Sequence, residues 1–464
     1  MLLISVVFVA IILLAKWYFK PSQIPPYKGE GFQSFLSNTP DYAAKPISLI
    51  RRAGEQYENA FSIQLSRVCN YLLRENPLNE VYLDMPENAR SFCHGMGTFL
   101  NKTIDPGYLN NFQAMIGSFI RYMDRTEAQE HTAKCTTEET HSCALEWTTR
   151  SDVELFTGVS ELTHNVVVKT LMGEDFYESS DELLGLMHAM ERDVGNFWSL
   201  VLPDWVPYPS ARRLHRSRER VKEIFWENLG QRHVAAKNGD LQSDLPDFIT
   251  YMLHDGSTAP LKHHFASHHT LLMVASDTST AAVISWVVVC LLRHPDVMTA
   301  VKRDARSGTS DSVLLQACIK ETIRYYNAMK CFRPTVADPM VSASPCPKHD
   351  DTDNYPNSDT WMPGRWLNAE NKLVDLEETG KESKCETFGG GSRRCPGEKM
   401  ATILVTQTLT TLLRYYDIRW ATPEQPRTVR FDDLDFDKVG SPWLKGGLRV
   451  KVSRRVWPEL IGGC

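Results

Sequence analysis

Thr387-Phe388-Gly389-Gly390-Gly391-Ser392-Arg393-Arg394-Cys395-Pro396-Gly397-Glu398 decides the reading of this chain. Three consecutive glycines let backbone approach a flat ligand closely and permit positive φ. Two arginines beside Cys395 favour thiolate over thiol. Pro396 stands where a helix begins, and Met400 to Tyr415 reads as that helix. Its N-terminus adds partial positive charge next to the sulfur. A thiolate so placed is a nucleophile or a metal ligand. Nucleotide binding is a rival reading of the glycines, but a P-loop ends in Gly-Lys-Ser/Thr and a dinucleotide fold needs a preceding strand and a βαβ unit. Neither pattern is met. A cysteine hydrolase needs a histidine partner, and no signature marks one.

Moving outward, the body reads as mainly α with small peripheral β-sheets. Leu109 to Met123 and Val153 to Leu171 carry apolar residues at helical spacing, with Asp152 placed as a cap for the second. Arg212 to Phe225 is basic and amphipathic, a solvated or membrane-facing helix surface. The longest helix runs from Pro260 to about His294, with Ser257 or Thr258 as cap and Pro295 as its end. It spans roughly 50 Å. Its middle is apolar on nearly every side, so it is expected to be buried. Asp277, Thr278, Ser279 and Thr280 interrupt that run. A functional carboxylate and a kink in which Thr hydroxyls bond the preceding turn both account for them. Leu448 to Val452 alternates as a strand after Lys445-Gly446-Gly447.

The 464 residues are 42% hydrophobic and 23% charged, the balance of a packed globular protein rather than a disordered or multi-span one. Lys and Arg number 51 against 57 Asp and Glu, and a net charge of −6 gives no support for nucleic-acid binding. Eleven cysteines, an odd number without pairing rhythm, point to a reducing compartment. Met1 to Ala15 is uncharged and almost wholly apolar. Leu2 to Phe19 as a helix reaches roughly 27 Å, enough to span a hydrocarbon core if Lys16 snorkels. Lys16, Lys20 and Lys28 follow the run and none precedes it, so it reads as a signal anchor that leaves the body cytoplasmic. The expected organisation is a transmembrane anchor over 1–20, a Pro-rich hinge and membrane-proximal segment over 21–49, and one catalytic domain over 50–464.

Phe388, Gly391, Cys395 and Gly397 match every fixed position of Phe-x-x-Gly-x-x-x-Cys-x-Gly, the haem-binding signature of the cytochrome P450 family, and the chain resembles that family. Three further matches occur in family order. Asp277-Thr278 sits at the acid–alcohol pair of the long central helix. Glu321-Thr322-Ile323-Arg324 resembles the Glu-x-x-Arg pair, and Pro363-Gly364-Arg365-Trp366 the Pro-x-Arg-Phe/Trp segment. Residues 196–225, with Leu202-Pro203-Asp204-Trp205-Val206-Pro207, look like the sterol 14-demethylase-like branch, especially fungal members.

The resemblance implies the P450 fold, with haem b as cofactor and Cys395 as axial ligand to its iron. A thiolate there pushes electron density to the metal and favours O–O cleavage. It implies that Arg393 binds a propionate, that Phe388 packs beside the ring with Gly389, Gly391 and Gly397 around it, and that Glu321, Arg324 and Arg365 form a buried brace. Asp277 and Thr278 take the proton-delivery role. The implied activity is mono-oxygenation of a lipophilic, terpenoid- or steroid-like molecule in secondary metabolism. No flavin or nicotinamide motif is visible, so electrons are expected from NADPH–cytochrome P450 reductase, with cytochrome b5 as a further donor, at the endoplasmic reticulum membrane. Arg394 and Lys399 are candidate docking residues. Alternatives are a P450-fold isomerase or dehydratase and a degenerate, non-catalytic haem-binding protein.

Three features depart from the family pattern. Val274 replaces the usual Ala or Gly. Trp147 and Arg150 have the wrong spacing for a Trp-x-x-x-Arg propionate partner. The hairpin expected after Arg333 is absent, and Pro339 to Asp353 is short, polar and proline-broken. His263, His264, His268 and His269 invite a metal reading, but lining of the access region is the expectation because no zinc-protease glutamate follows.

Overall fold

The computed structural model describes residues 25–44 except 30, 60–64, 68–72, 102–194, 206–238, 246–307, 312–326, 340–343, 355–374, 394–423 and 441–455, with isolated residues between them such as Cys93 and Phe388. The expected anchor over 1–20 lies outside the described residues.

The described helices are α1 (Gly31–Ala44), α2 (Phe112–Met123), α3 (Thr126–Trp147), α4 (Leu155–Leu171), α5 (Ser180–Val194), α6 (Pro209–Asn238), α7 (Phe248–His254), α8 (Phe265–Arg293), α9 (Pro295–Arg306), α10 (Val313–Tyr326) and α11 (Glu398–Tyr415). The strands are β1 (Ala60–Gln64), β2 (Val68–Leu72), β3 (Val153–Glu154), β4 (Met340–Ala343), β5 (Tyr416–Trp420), β6 (Leu434–Asp435), β7 (Trp443–Leu444) and β8 (Arg449–Arg454). They form three small sheets, β1-β2-β4, β3-β8-β5 and β6-β7. β1 and β2 pair antiparallel, whereas β4 joins β2 in parallel, Cys69 opposite Met340. The proline-broken stretch that begins at Pro339 therefore still contributes a strand, because its residues 340–343 find an open edge on β2.

α8 is the axis of the molecule. It lies along α4 and against α10 and α11, while α3 packs on both α4 and α11. Most of its residues between Phe265 and Leu291 are buried, as its near-uniform apolarity requires. It is the one described helix apolar and long enough to cross a membrane, and it is the core instead. Trp286 anchors its C-terminal half. Its ring stacks on Tyr326 at 3.9 Å, meets Phe156 edge-on at 5.1 Å, and donates Nε1–H to the Pro442 carbonyl at 2.7 Å.

Two boundaries differ from the sequence reading. The helix expected from Pro260 opens as a 3₁₀ turn, Ala259–His264, because Leu261 (φ −98°, ψ 17°) leaves the helical region, and α8 starts at Phe265. Asp152 does not cap α4; Glu154 does, accepting from the Thr157 N–H at 2.7 Å. Asp152 instead takes Arg449 Nε at 2.6 Å. Glu154 also accepts from the Leu448 N–H at 2.8 Å, and its carboxylate fills the space where a Cβ on Gly447 (φ +71°) would meet it at 2.8 Å. Glycine at 447 thus serves both the turn and the cap.

Candidate functional site

Cys395 sits immediately before α11. Its N–H donates to the Phe388 carbonyl at 2.7 Å, closing the loop, and its carbonyl accepts from the Glu398 N–H at 3.3 Å. Gly397 is the N-cap of α11, so the sulfur stands beside the positive end of an 18-residue helix. Burial pushes the thiols of Cys135 and Cys143 up, to about 11 and about 12, and that of Cys290 to about 12. Those three are structural thiols. Cys395 is half-buried and placed for thiolate chemistry, a soft donor suited to iron. Gly397 has ordinary φ and ψ, −86° and 1°, and a Cβ there would lie 3.7 Å from Sγ. Arg393, Gly389 and Gly391 lie outside the described residues.

Arg394 forks onto Glu398, Nε to Oε2 at 2.5 Å and Nη2 to Oε1 at 2.8 Å, and Lys399 reaches Asp124 at 2.5 Å. Arg394 therefore spends its guanidinium on the first turn of α11. Both cations are exposed and both carry an acidic partner.

α8 runs through the Asp277–Thr280 stretch as continuous helix, and Ser276 and Ser279 bond back to the carbonyls of Leu272 (2.9 Å) and Ala275 (2.6 Å). One face of this buried helix stays partly open, at Leu272, Ala275, Ser276, Ser279 and Val283. Asp277 points elsewhere. Its Oδ2 lies 2.9 Å from His164 Nδ1 on α4, with both side chains almost fully buried. Thr278 is buried, and its carbonyl accepts from Trp443 Nε1 at 3.3 Å. The two residues are adjacent in sequence, yet the Asp277 carboxylate is held by α4 and the Thr278 backbone by β7. His164 is a site residue that sequence reading missed. The signal was a lone histidine inside the apolar run Val153 to Leu171.

The Glu321 node is the most fully satisfied polar group near the site. Glu321 accepts Arg324 Nε (3.0 Å) and Nη2 (2.9 Å), Arg365 Nε (3.0 Å), Trp366 Nε1 (2.9 Å) and the Met362 N–H (2.8 Å). It ties α10 to the 3₁₀ turn Pro363–Trp366. The three charged members are those expected from sequence; Trp366 and Met362 add the rest.

The histidines at the start of α8 do not line an open approach. His268 and His269 are fully buried, and burial lowers His268 well below the usual imidazole range and His269 to about 4, so both are neutral. His268 Nδ1 meets the Tyr108 hydroxyl at 2.8 Å, and His264 Nε2 meets Asn111 Nδ2 at 3.1 Å. Among the described residues no group of three or more His, Cys, Asp or Glu is arranged to hold a metal ion.

Comparison with known proteins places these features. The family model described as cytochrome P450 matches residues 88–436. A cytochrome P450 monooxygenase of Aspergillus niger, pynD, is 39% identical over 441 residues, covering 89% of each chain. Another from Aspergillus terreus, pytD, is 37% identical, covering 77% of this chain and 99% of its own. A sterol 14-alpha demethylase of Gibberella zeae is 26% identical over 61% of this chain and 64% of its own. Among solved structures, retinoic acid-bound cyanobacterial CYP120A1 superposes with a TM-score of 0.73 at 16% identity, over 93% of this chain and 99% of its own.

Proposed function

The chain belongs to the cytochrome P450 family and is a mono-oxygenase of it, and from that premise we propose that it oxidises a lipophilic small molecule in fungal secondary metabolism with Cys395 as the haem ligand. The observation that carries this reading is the half-buried cysteine at the N-terminus of α11, its N–H tied to Phe388. The family's cofactor is haem, which when bound activates dioxygen so that one oxygen atom enters a C–H bond and the other leaves as water, using two electrons and two protons.

This chain's residues would act around that chemistry. Cys395 donates the thiolate, and the α11 dipole tempers its charge. Phe388 packs beside the ring, with Gly389, Gly391 and Gly397 giving close approach and Arg393 offering a fork to a propionate. Asp277 and Thr278 hold and pass protons. Leu272, Ala275 and Val283, on the open face of α8, give an apolar wall suited to a lipophilic substrate. A terpenoid or steroid is the narrower class we propose, supported by the sterol demethylase relatives and not by the names of the more similar ones. Electrons come from NADPH–cytochrome P450 reductase, with cytochrome b5 as auxiliary donor. The apolar segment over 1–20 holds the protein at the endoplasmic reticulum membrane with its body, 50–464, in the cytoplasm.

The test is the absorption spectrum of the dithionite-reduced, CO-saturated protein beside Cys395→Ser, followed by turnover with reductase and NADPH. A strongly red-shifted Soret band that the variant lacks, with NADPH- and O2-dependent product, is the expected result. An unshifted band, or no haem, overturns the ligand assignment. Product formed without O2 or reductase identifies an isomerase or dehydratase. Intact haem with no turnover across candidate substrates identifies a non-catalytic haem protein.

A further inference from the structure

Hydrogen-bond bookkeeping at the pair between α4 and α8 fixes a proton count. His164 and Asp277 have side-chain exposures of 0% and 2%, so bulk water does not reach them. His164 Nε2 lies 3.1 Å from the Ser180 carbonyl, which can only accept, so Nε2 carries a hydrogen. Ser180 is itself fixed, its hydroxyl donating to Asn165 Oδ1 at 2.7 Å. His164 Nδ1 lies 2.9 Å from Asp277 Oδ2. A neutral imidazole has one N–H, and here it is already used. Two bare lone pairs at that distance in a dry site would repel, with neither group satisfied. A second hydrogen therefore lies between Nδ1 and Oδ2. The pair holds two protons, as imidazolium and carboxylate or as imidazole and carboxylic acid, and is neutral either way. The common His–Asp arrangement differs, since there Nδ1–H faces the carboxylate and Nε2 is left to accept. The Ser180 carbonyl forbids that tautomer here.

The other carboxyl oxygen, Asp277 Oδ1, is buried and has no hydrogen-bond partner among the described residues. Among the described residues no lysine or arginine pairs with Asp277. We propose that His164 is a positioning residue that keeps Asp277 loaded with one transferable proton. This rests on the assignment of Asp277 to proton delivery made above. The step moves one proton and no electrons. It leaves neutral His164, still bonded to Ser180 through Nε2–H, facing a bare carboxylate. That state has one unsatisfied contact, so it favours taking a proton back.

The experiment uses the full-length haem protein in its diamagnetic ferrous–CO form at pH 7, with ring-15N histidine and carboxyl-13C aspartate. The expected result is either one histidine protonated on both nitrogens, missing in His164→Gln, or a protonated-carboxyl infrared band missing in Asp277→Asn. An Nδ1–H, Nε2-bare His164 beside an ionised Asp277 overturns the proposal. In the protonation count both variants serve only for assignment, and where one folds poorly the other assigns the wild-type signal. With reductase and NADPH, His164→Gln is expected to lower product formed per NADPH consumed, with haem content and the CO band unchanged. Wild-type coupling in that variant also overturns the proposal. The protonation count is read without turnover, so its failure is distinct from failure of the haem-thiolate reading, which the CO band reports.

Discussion

Two buried carboxylates stand in neighbouring parts of this molecule, and they are built in opposite ways. Glu321 receives five donors on its two oxygens, two from Arg324 and one each from Arg365, Trp366 and the Met362 backbone. Among the described residues Asp277 has one partner on Oδ2 and none on Oδ1. A buried polar group left open is costly, so a saturated carboxylate belongs to the architecture. An unsaturated one persists only where the surroundings hold it, which is the mark of a group kept ready to react. The difference in donor count supports the reading of Glu321 as a brace and, as proposed above, of Asp277 as the proton-delivering group.

The sharpest way to break the contrast is Glu321→Gln. The amide keeps the shape but removes the charge opposite two guanidiniums that are themselves buried or nearly so. Removing one partner of such a network costs about 3–5 kcal/mol, a large share of the roughly 5–15 kcal/mol by which domains are stable. The expected outcome is a steep fall in soluble, haem-containing protein and in melting temperature. Parental stability in this variant would show that the α10 brace carries no load.

Asp277→Asn is expected to do the reverse. An asparagine Nδ2–H satisfies the bare His164 Nδ1 while Nε2–H stays on Ser180, so the fold and the reduced CO spectrum remain. Stability should move by no more than about 1 kcal/mol. Product formation should fall about 100-fold, the scale of a lost general acid, equivalent to about 2.7 kcal/mol of barrier. Initial rates of product release with saturating reductase measure it. A variant that loses its haem would instead place Asp277 with the brace.

How far each node was legible in the sequence follows from the range of its contacts. Glu321 and Arg324 are three residues apart on one helix, and Arg365 belongs to a short recognisable segment, so three of the network's members could be read directly. Cys395 was legible for the same reason, since its loop and helix are contiguous. His164 and Asp277 are 113 residues apart, on two helices whose meeting depends on how α4 packs along α8. No local pattern encodes that meeting. Residue pattern alone accordingly left Asp277 open between a functional carboxylate and a kink, and only the family resemblance gave it a proton-delivery role; pattern also gave the α4 cap to Asp152 where Glu154, held also by Leu448, wins it. The start of α8 slipped because the turn at Leu261 is set by its neighbours rather than by its residue type.

Trp366→Phe sharpens the comparison at its finest grain. Trp366 is buried, packs near Tyr355 with ring centroids 6.3 Å apart, and supplies one donor of Glu321's five, the indole N–H to Oε2 at 2.9 Å. Phenylalanine keeps most of the apolar contact and removes that donor. Oε2 then retains only Arg324 Nε, so Glu321 moves one step toward the unsaturated state of Asp277. A hydrogen bond to a buried charge contributes about 1.5–3 kcal/mol, and the smaller ring leaves a modest void. The expected loss is about 2 kcal/mol in chemical or thermal unfolding, with haem content and turnover per folded enzyme intact. If the loss instead matches that of Glu321→Gln, the indole and not the arginine pair is what fastens the Pro363–Trp366 turn to α10. If it is near zero, four donors already saturate the carboxylate, and donor count above that number no longer distinguishes brace from reagent.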